Sequence, residues 1–185
     1  MQAIIPLAGK GTRVRPHTHS RPKPLLRGAN RPVLAYVIEQ LRAEGVDELV
    51  LITGHLSRQI ENFITEKYPD LSVSYVEQEE QLGTAHAVAL AEPLVSSSVL
   101  IVFVDTLLDA DFGVIHQRQE ADGIIWVKEV EDYQRYGVVL TDKHGYMERI
   151  VEKPKEPVSK LANVGVYFIR DYELCLLYTS DAADE

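Results

Sequence analysis

The chain opens with an apolar run, Gln2 to Leu7 (QAIIPL), that passes directly into Gly9-Lys10-Gly11. A short apolar run ended by glycines reads as a buried strand, and a strand with no polar face must be covered on both sides. Two glycines directly after it let backbone N–H groups come close to a phosphate. The next apolar stretch, Val33 to Leu41, has helical spacing. Strand, glycine-rich loop and helix in that order begin an α/β fold.

The alternation continues. Glu48 to Thr53 (ELVLIT) reads as a strand, followed by an amphipathic helix with Ile60, Phe63 and Ile64 on one face and Ser57 as its expected N-cap. Leu71 to Val76 reads as strand, Thr84 to Ala91 as a helix of small residues, and Val99 to Val104 as a strand too apolar for a wet face. The expected class is a three-layer, Rossmann-like α/β fold with a mostly parallel sheet. After about Asp111 the chain becomes strand-rich. Gly123 to Val127, Gly137 to Leu140, Met147 to Val151 and Val164 to Ile169 read as strands, with a turn at His144-Gly145 and a helix start at Arg170-Asp171. No repeat or linker divides the chain, so one domain over 1–174 is expected, with lobes of about 1–110 and 111–174.

Composition narrows the function. A formal charge of -9 opposes general affinity for nucleic acid, which needs a basic stripe. The charge is uneven, however: residues 1 to 38 hold Lys10, Arg13, Arg15, Arg21, Lys23, Arg27 and Arg31 and no acidic residue, leaving -16 on the remainder. That segment suits a small polyanion. Apolar runs such as Ser98 to Val104 are too short to cross a bilayer, and the start lacks a secretory signal, so the expected location is the cytoplasm, away from membranes. The single Cys175 cannot form an internal disulfide. The six histidines show no metal-ligand spacing.

The segment Leu7 to Leu25 (LAGKGTRVRPHTHSRPKPL) carries the chemistry. It is not a dinucleotide fingerprint, because Val14 stands where a third glycine is needed, and it is not a Walker loop, which requires Gly-Lys-Ser/Thr. A dehydrogenase is disfavoured accordingly. The longer pattern G-x-G-T-R-x-x-P followed by P-K, here Gly9, Gly11, Thr12, Arg13, Pro16, Pro22 and Lys23, resembles the signature of the sugar-1-phosphate nucleotidyltransferases. The resemblance implies that Leu7, Ala8, Gly9, Gly11 and Thr12 wrap the triphosphate, that Arg13 holds the departing pyrophosphate and that Lys23 stabilises charge during attack. Those roles agree with phosphoryl-type transfer, which relies on positioning and fixed positive charge.

Further motifs follow in the family's order. The run Tyr75 to Val88 (YVEQEEQLGTAHAV) resembles the base-binding segment, with Gln78 and Gly83 as base-reading residues. A glutamine amide has both donor and acceptor to offer a base edge. Asp105, ending LIVFVD, matches the family's magnesium ligand, although Val104 stands where many members have glycine. One carboxylate plus substrate phosphates is reasonable coordination for Mg2+. Tyr136-Gly137-Val138, Ile150 to Pro154 and Asn163 to Tyr167 resemble the sugar side. There the resemblance implies backbone contact from Gly137, hydroxyl recognition by Glu152, phosphate contact by Lys153 and a sugar hydrogen bond from Asn163.

The expected function is nucleotidyl transfer from dTTP or UTP to a sugar 1-phosphate, foremost glucose 1-phosphate, giving the nucleoside-diphosphate sugar and pyrophosphate. The alternative is a non-catalytic nucleotide- or sugar-nucleotide-sensing module on the same fold. The resemblance runs to about Glu173, whereas members of the family continue with further helix, strand and a second metal-binding aspartate. Residues 175–185 (CLLYTSDAADE) depart from it and read as a non-native tail on a truncated chain. Weak nucleotide binding, poor turnover and self-association through uncovered apolar surface are the expectations for such a chain.

Overall fold

The computed structural model describes residues 1–96, 98–104 and 110–173, and for Arg13 the backbone alone. The first strand, β1 (Gln2–Pro6), has no solvent exposure at Ala3, Ile4 or Ile5. After a loop come the two-residue strands β2 (Arg27–Gly28) and β3 (Arg31–Pro32), paired with each other, then helix α1 (Val33–Ala43). Strand β4 (Glu48–Thr53), helix α2 (Ser57–Lys67), strand β5 (Ser72–Glu77), helix α3 (Thr84–Ala89) and strand β6 (Val99–Val102) continue the alternation. Strands β4 and β6 flank β1 in parallel, and β5 pairs in parallel with β4. Parallel neighbours need crossovers, which the helices supply.

Period-two alternation sorts the side chains into layers. Ala3, Ile5, Leu49, Leu51, Leu100 and Val102 share one cluster with Leu34, Ile38 and Leu41 of α1 and Ile60 and Ile64 of α2. Ile4, Val50, Ile52, Val99 and Ile101 face the opposite side, against Ala87 and Val88 of α3. Three layers therefore follow from strands with two apolar faces.

The strand-rich part adds helix α4 (Val114–Gln117) and strands β7 (Gly123–Glu129), β8 (Gly137–Thr141), β9 (Met147–Glu152) and β10 (Leu161–Ile169). Among the described residues one eight-stranded sheet runs β5-β4-β1-β6-β10-β8-β9, with β7 also paired to β10. Strand β10 lies antiparallel to β6, with Val166 opposite Val102 and Phe168 opposite Leu100. The β8–β9 hairpin turns at Asp142, whose side chain accepts N–H bonds from His144 and Tyr146 at 2.8 and 2.9 Å. Ser57 is not the N-cap expected of it. Leu56 occupies that position at φ 68°, and Ser57 donates its N–H to the Gly54 carbonyl at 3.0 Å. Residues 174–185, including the expected tail, lie outside the described residues.

Phe168 sits at the join, on β10 and 2% exposed within the α1/α2-side cluster. Phe168→Ala should lower stability by about 3–5 kcal/mol in urea unfolding, the cost of deleting a buried ring. A loss below about 1 kcal/mol would contradict its place in the core.

Candidate active site

The carboxyl ends of β1, β5 and β6 meet at a cleft of about 310 Å3. Because the chain adds β4 and β5 on one side of β1 and then returns to add β6 on the other, this is where an open α/β sheet leaves a crevice. Leu7, Ala8 and Gly9 line it directly after β1, while Phe103 and Val104 line it after β6. The segment after β5 supplies Gln78, Gln81, Gly83, Thr84 and Ala87, and Lys23 and Pro24 enter from a short 3-10 turn, Lys23–Leu25. The structure thus gathers Leu7, Ala8, Gly9, Lys23, Gln78 and Gly83 into one place. Leu7 is fixed there by its N–H bond to the Ile52 carbonyl at 2.7 Å.

The loop turns at Gly11, which has φ 59° and ψ 38°. A Cβ there would stand 2.8 Å from Thr18 Cγ2 and 3.2 Å from Lys23 Cβ, so the loop folds close against the lysine segment. Buried Thr18 locks the turn by donating its hydroxyl to the Gly11 carbonyl at 2.9 Å. Thr12 is exposed on the following 3-10 turn, Thr12–Val14, and does not line the cleft. Arg13 has its backbone in the same turn, and its side chain lies outside the described part of the chain.

Gln78 is 6% exposed at the cleft wall. Its Nε2 donates to the Gly83 carbonyl at 3.1 Å and lies 3.1 Å from His86 Nδ1. A carbonyl partner fixes which way the amide points, because an oxygen in that place would face another acceptor. Both amide hydrogens are thereby committed, and Oε1 has no hydrogen-bond partner among the described residues. The expectation that Gln78 offers both donor and acceptor to a ligand narrows to the acceptor. Gln81, which the sequence pattern does not single out, donates Nε2 to the Ala8 carbonyl at 2.5 Å and ties the two walls together. The second glutamine in EQEEQLG is its only sequence signal.

Asn163 shapes β10. Its Oδ1 accepts the Gly165 N–H at 2.9 Å and its Nδ2 donates to the Tyr167 hydroxyl. Gly165, at φ 77°, accepts the Phe103 N–H at 2.9 Å, and Phe103 meets the Tyr167 ring edge-on at 6.2 Å. Asn163 thus braces the cleft wall from behind. Gly137 and Glu152 are register partners across β8 and β9, and a Cβ on Gly137 would lie 2.9 Å from Glu152 Oε2. Lys153, at φ 43°, pairs its Nζ with Glu152 Oε1 at 2.8 Å. Gly137, Glu152 and Lys153 form a group of their own on the far side of β10 and do not line the cleft.

Asp105, the expected magnesium ligand, lies outside the described residues, directly after cleft-lining Val104. Among the described residues no three His, Cys, Asp or Glu side chains gather as a metal cage. No described helix is long and apolar enough to cross a membrane.

The model of the nucleotidyl transferase family matches residues 2–178. The chain belongs to that family. UTP--glucose-1-phosphate uridylyltransferase AglF of Haloferax volcanii is 34% identical over 172 residues, covering 90% of this chain and 71% of that protein. The catalytic subunit beta of mannose-1-phosphate guanylyltransferase from Drosophila melanogaster is 36% identical, covering 90% of this chain but 47% of its own length. The chain therefore spans about half of the guanylyltransferase. A solved UDP-glucose pyrophosphorylase complexed with UDP-glucose shares the fold, with TM-score 0.85, 23% identity and coverage of 97% of this chain and 78% of that one. These relatives set the chain among the sugar-1-phosphate nucleotidyltransferases, enzymes of the nucleotidyl-transferring class.

Gly11→Ala should cost about 1–2 kcal/mol by forcing a side chain into the left-handed region. Contact with Thr18 would also displace the loop, so calorimetric titration with a nucleoside triphosphate should show at least fivefold weaker binding than the unaltered chain, about 1 kcal/mol. Unchanged affinity would show that the turn does not shape the nucleotide site.

Proposed function

We propose that the chain transfers a nucleotidyl group from UTP or dTTP to a sugar 1-phosphate, with glucose 1-phosphate the first candidate, releasing pyrophosphate in the cytoplasm. The observation that carries the base assignment is the open acceptor of buried Gln78 beside Gly83. Uracil and thymine place an N3–H donor next to a carbonyl, which suits Gln78 Oε1 together with the Gly83 backbone N–H. Cytosine and adenine put a lone pair where that donor is needed. Guanine shares the N–H/C=O edge, so GTP with mannose 1-phosphate is the second reading, favoured by the 36% identity to the guanylyltransferase.

In the proposed reaction an oxygen of the sugar phosphate attacks the α-phosphorus as the bond to the bridging oxygen of the β-phosphate breaks. Pyrophosphate carries away that electron pair. The loop from Leu7 to Thr12 holds the phosphates, Arg13 receives the leaving group and Lys23, at the cleft, offsets charge on the attacked phosphate. Asp105 would hold Mg2+ with the triphosphate oxygens, and the bound ion would neutralise charge on the phosphates. Gly137, Glu152 and Lys153 are assigned to the sugar side, where a carboxylate beside an ammonium suits a ligand with hydroxyls at one end and phosphate at the other. Asn163, whose amide already bonds Gly165 and Tyr167, has one N–H and one lone pair left for a sugar hydroxyl.

The test is pyrophosphate release with magnesium across UTP, dTTP, GTP and CTP, each with glucose or mannose 1-phosphate. Release that needs both substrates and prefers UTP or dTTP is expected, and preference for GTP with mannose 1-phosphate would establish the second reading. Arg13→Ala should cut turnover by roughly a hundredfold while changing nucleotide affinity less than threefold, as for a group acting on the leaving group. Nucleotide binding without release, both by this chain and by one extended to the length of its relatives, would support the sensing module instead.

A further inference from the structure

We propose that His86 is a positioning residue for base selection: it holds the Gln78 amide so that only its carbonyl oxygen meets the base. The inference rests on the base-binding reading of Gln78. Gln78 Nε2 has no lone pair to donate, so its contact with His86 Nδ1 at 3.1 Å requires Nδ1 to be the acceptor and Nε2 of the imidazole to carry the proton. The Gly83 carbonyl takes the other amide hydrogen at 3.1 Å. Two acceptors therefore face one end of the amide, and a flipped glutamine would set its oxygen against both. His86 sits on α3, half-buried, one turn from the glycine that lines the cleft. His86 thus reads no base itself and instead orients the side chain that does.

The consequence concerns selectivity more than affinity for phosphate. With the amide held, a base offering N–H at that edge is accepted and one offering a lone pair is rejected, because an unpaired acceptor would stay buried against it. With the histidine acceptor gone, one carbonyl alone holds the amide and the flipped form becomes accessible, presenting N–H groups to cytosine.

The experiment measures dissociation constants for UTP and CTP, with magnesium, on the full chain and on His86→Leu, His86→Asn and Gln78→Ala. The unaltered chain should bind UTP at least tenfold more tightly than CTP. His86→Leu keeps bulk but removes the acceptor, and the UTP-over-CTP ratio should fall roughly two- to tenfold, the worth of one hydrogen bond. His86→Asn places an amide oxygen at the same distance from the backbone as Nδ1 and should restore the ratio to within twofold of the unaltered chain. A purely structural histidine would instead weaken both nucleotides equally, which overturns the proposal. It is also overturned if His86→Leu leaves the ratio intact while Gln78→Ala collapses it, for then Gln78 reads the base unaided. If Gln78→Ala leaves the ratio intact as well, the base-binding reading itself fails.

Discussion

Because Ala3, Ile4 and Ile5 are all shut away from water, β1 needs an apolar layer on each face and a strand on each edge. The sheet grows outward from that requirement. Adding β4 and β5 on one side and β6 on the other leaves the end of β1 at the crevice, where Leu7, Ala8 and Gly9 emerge among the ends of β5 and β6. Burial of the first strand and location of the site are thus one constraint. Strand β10 completes it from the other half, since its bulge at Gly165 is bonded to Phe103 in the cleft wall.

The site divides its labour by chemistry. On the proposed reading, backbone turns and cations serve the phosphates, which need charge and close approach, while the buried Gln78 amide serves the base, which needs direction. Charge follows the same division: the charged residues among 1 to 38 are all basic in a chain of net -9. The cleft's lining includes one ammonium, one hydroxyl, two amides and mostly apolar or backbone surface. Such a wall is suited to orienting a reaction between two bound substrates.

The parallel half is legible in the sequence because apolar runs ended by glycines and separated by helical spacing leave few alternatives, and the run LAGKGTR opens the pattern whose family resemblance implies a phosphate loop. What escapes depends on contacts between distant or differently oriented groups. Gln81 reaches Ala8 across 73 positions, which no local pattern records. Gln78 reads as a two-way amide until its hydrogens are placed on Gly83 and His86. Asn163 reads as a sugar ligand, and its amide already braces Gly165 and Tyr167, a consequence of the β10 bulge. Ser57 has the residue type of a cap, but Leu56 takes the left-handed turn that begins α2.

We propose that this fold positions two substrates for a single in-line displacement, with the protein supplying charge and orientation in place of a nucleophile. The stereochemical course at the α-phosphorus tests it most directly. With one diastereomer of a nucleoside 5′-(1-thiotriphosphate) as donor and a sugar 1-phosphate as acceptor, the product should show inversion at that phosphorus. Retention would require two displacements through a nucleotidyl group carried on the protein, and would contradict the account.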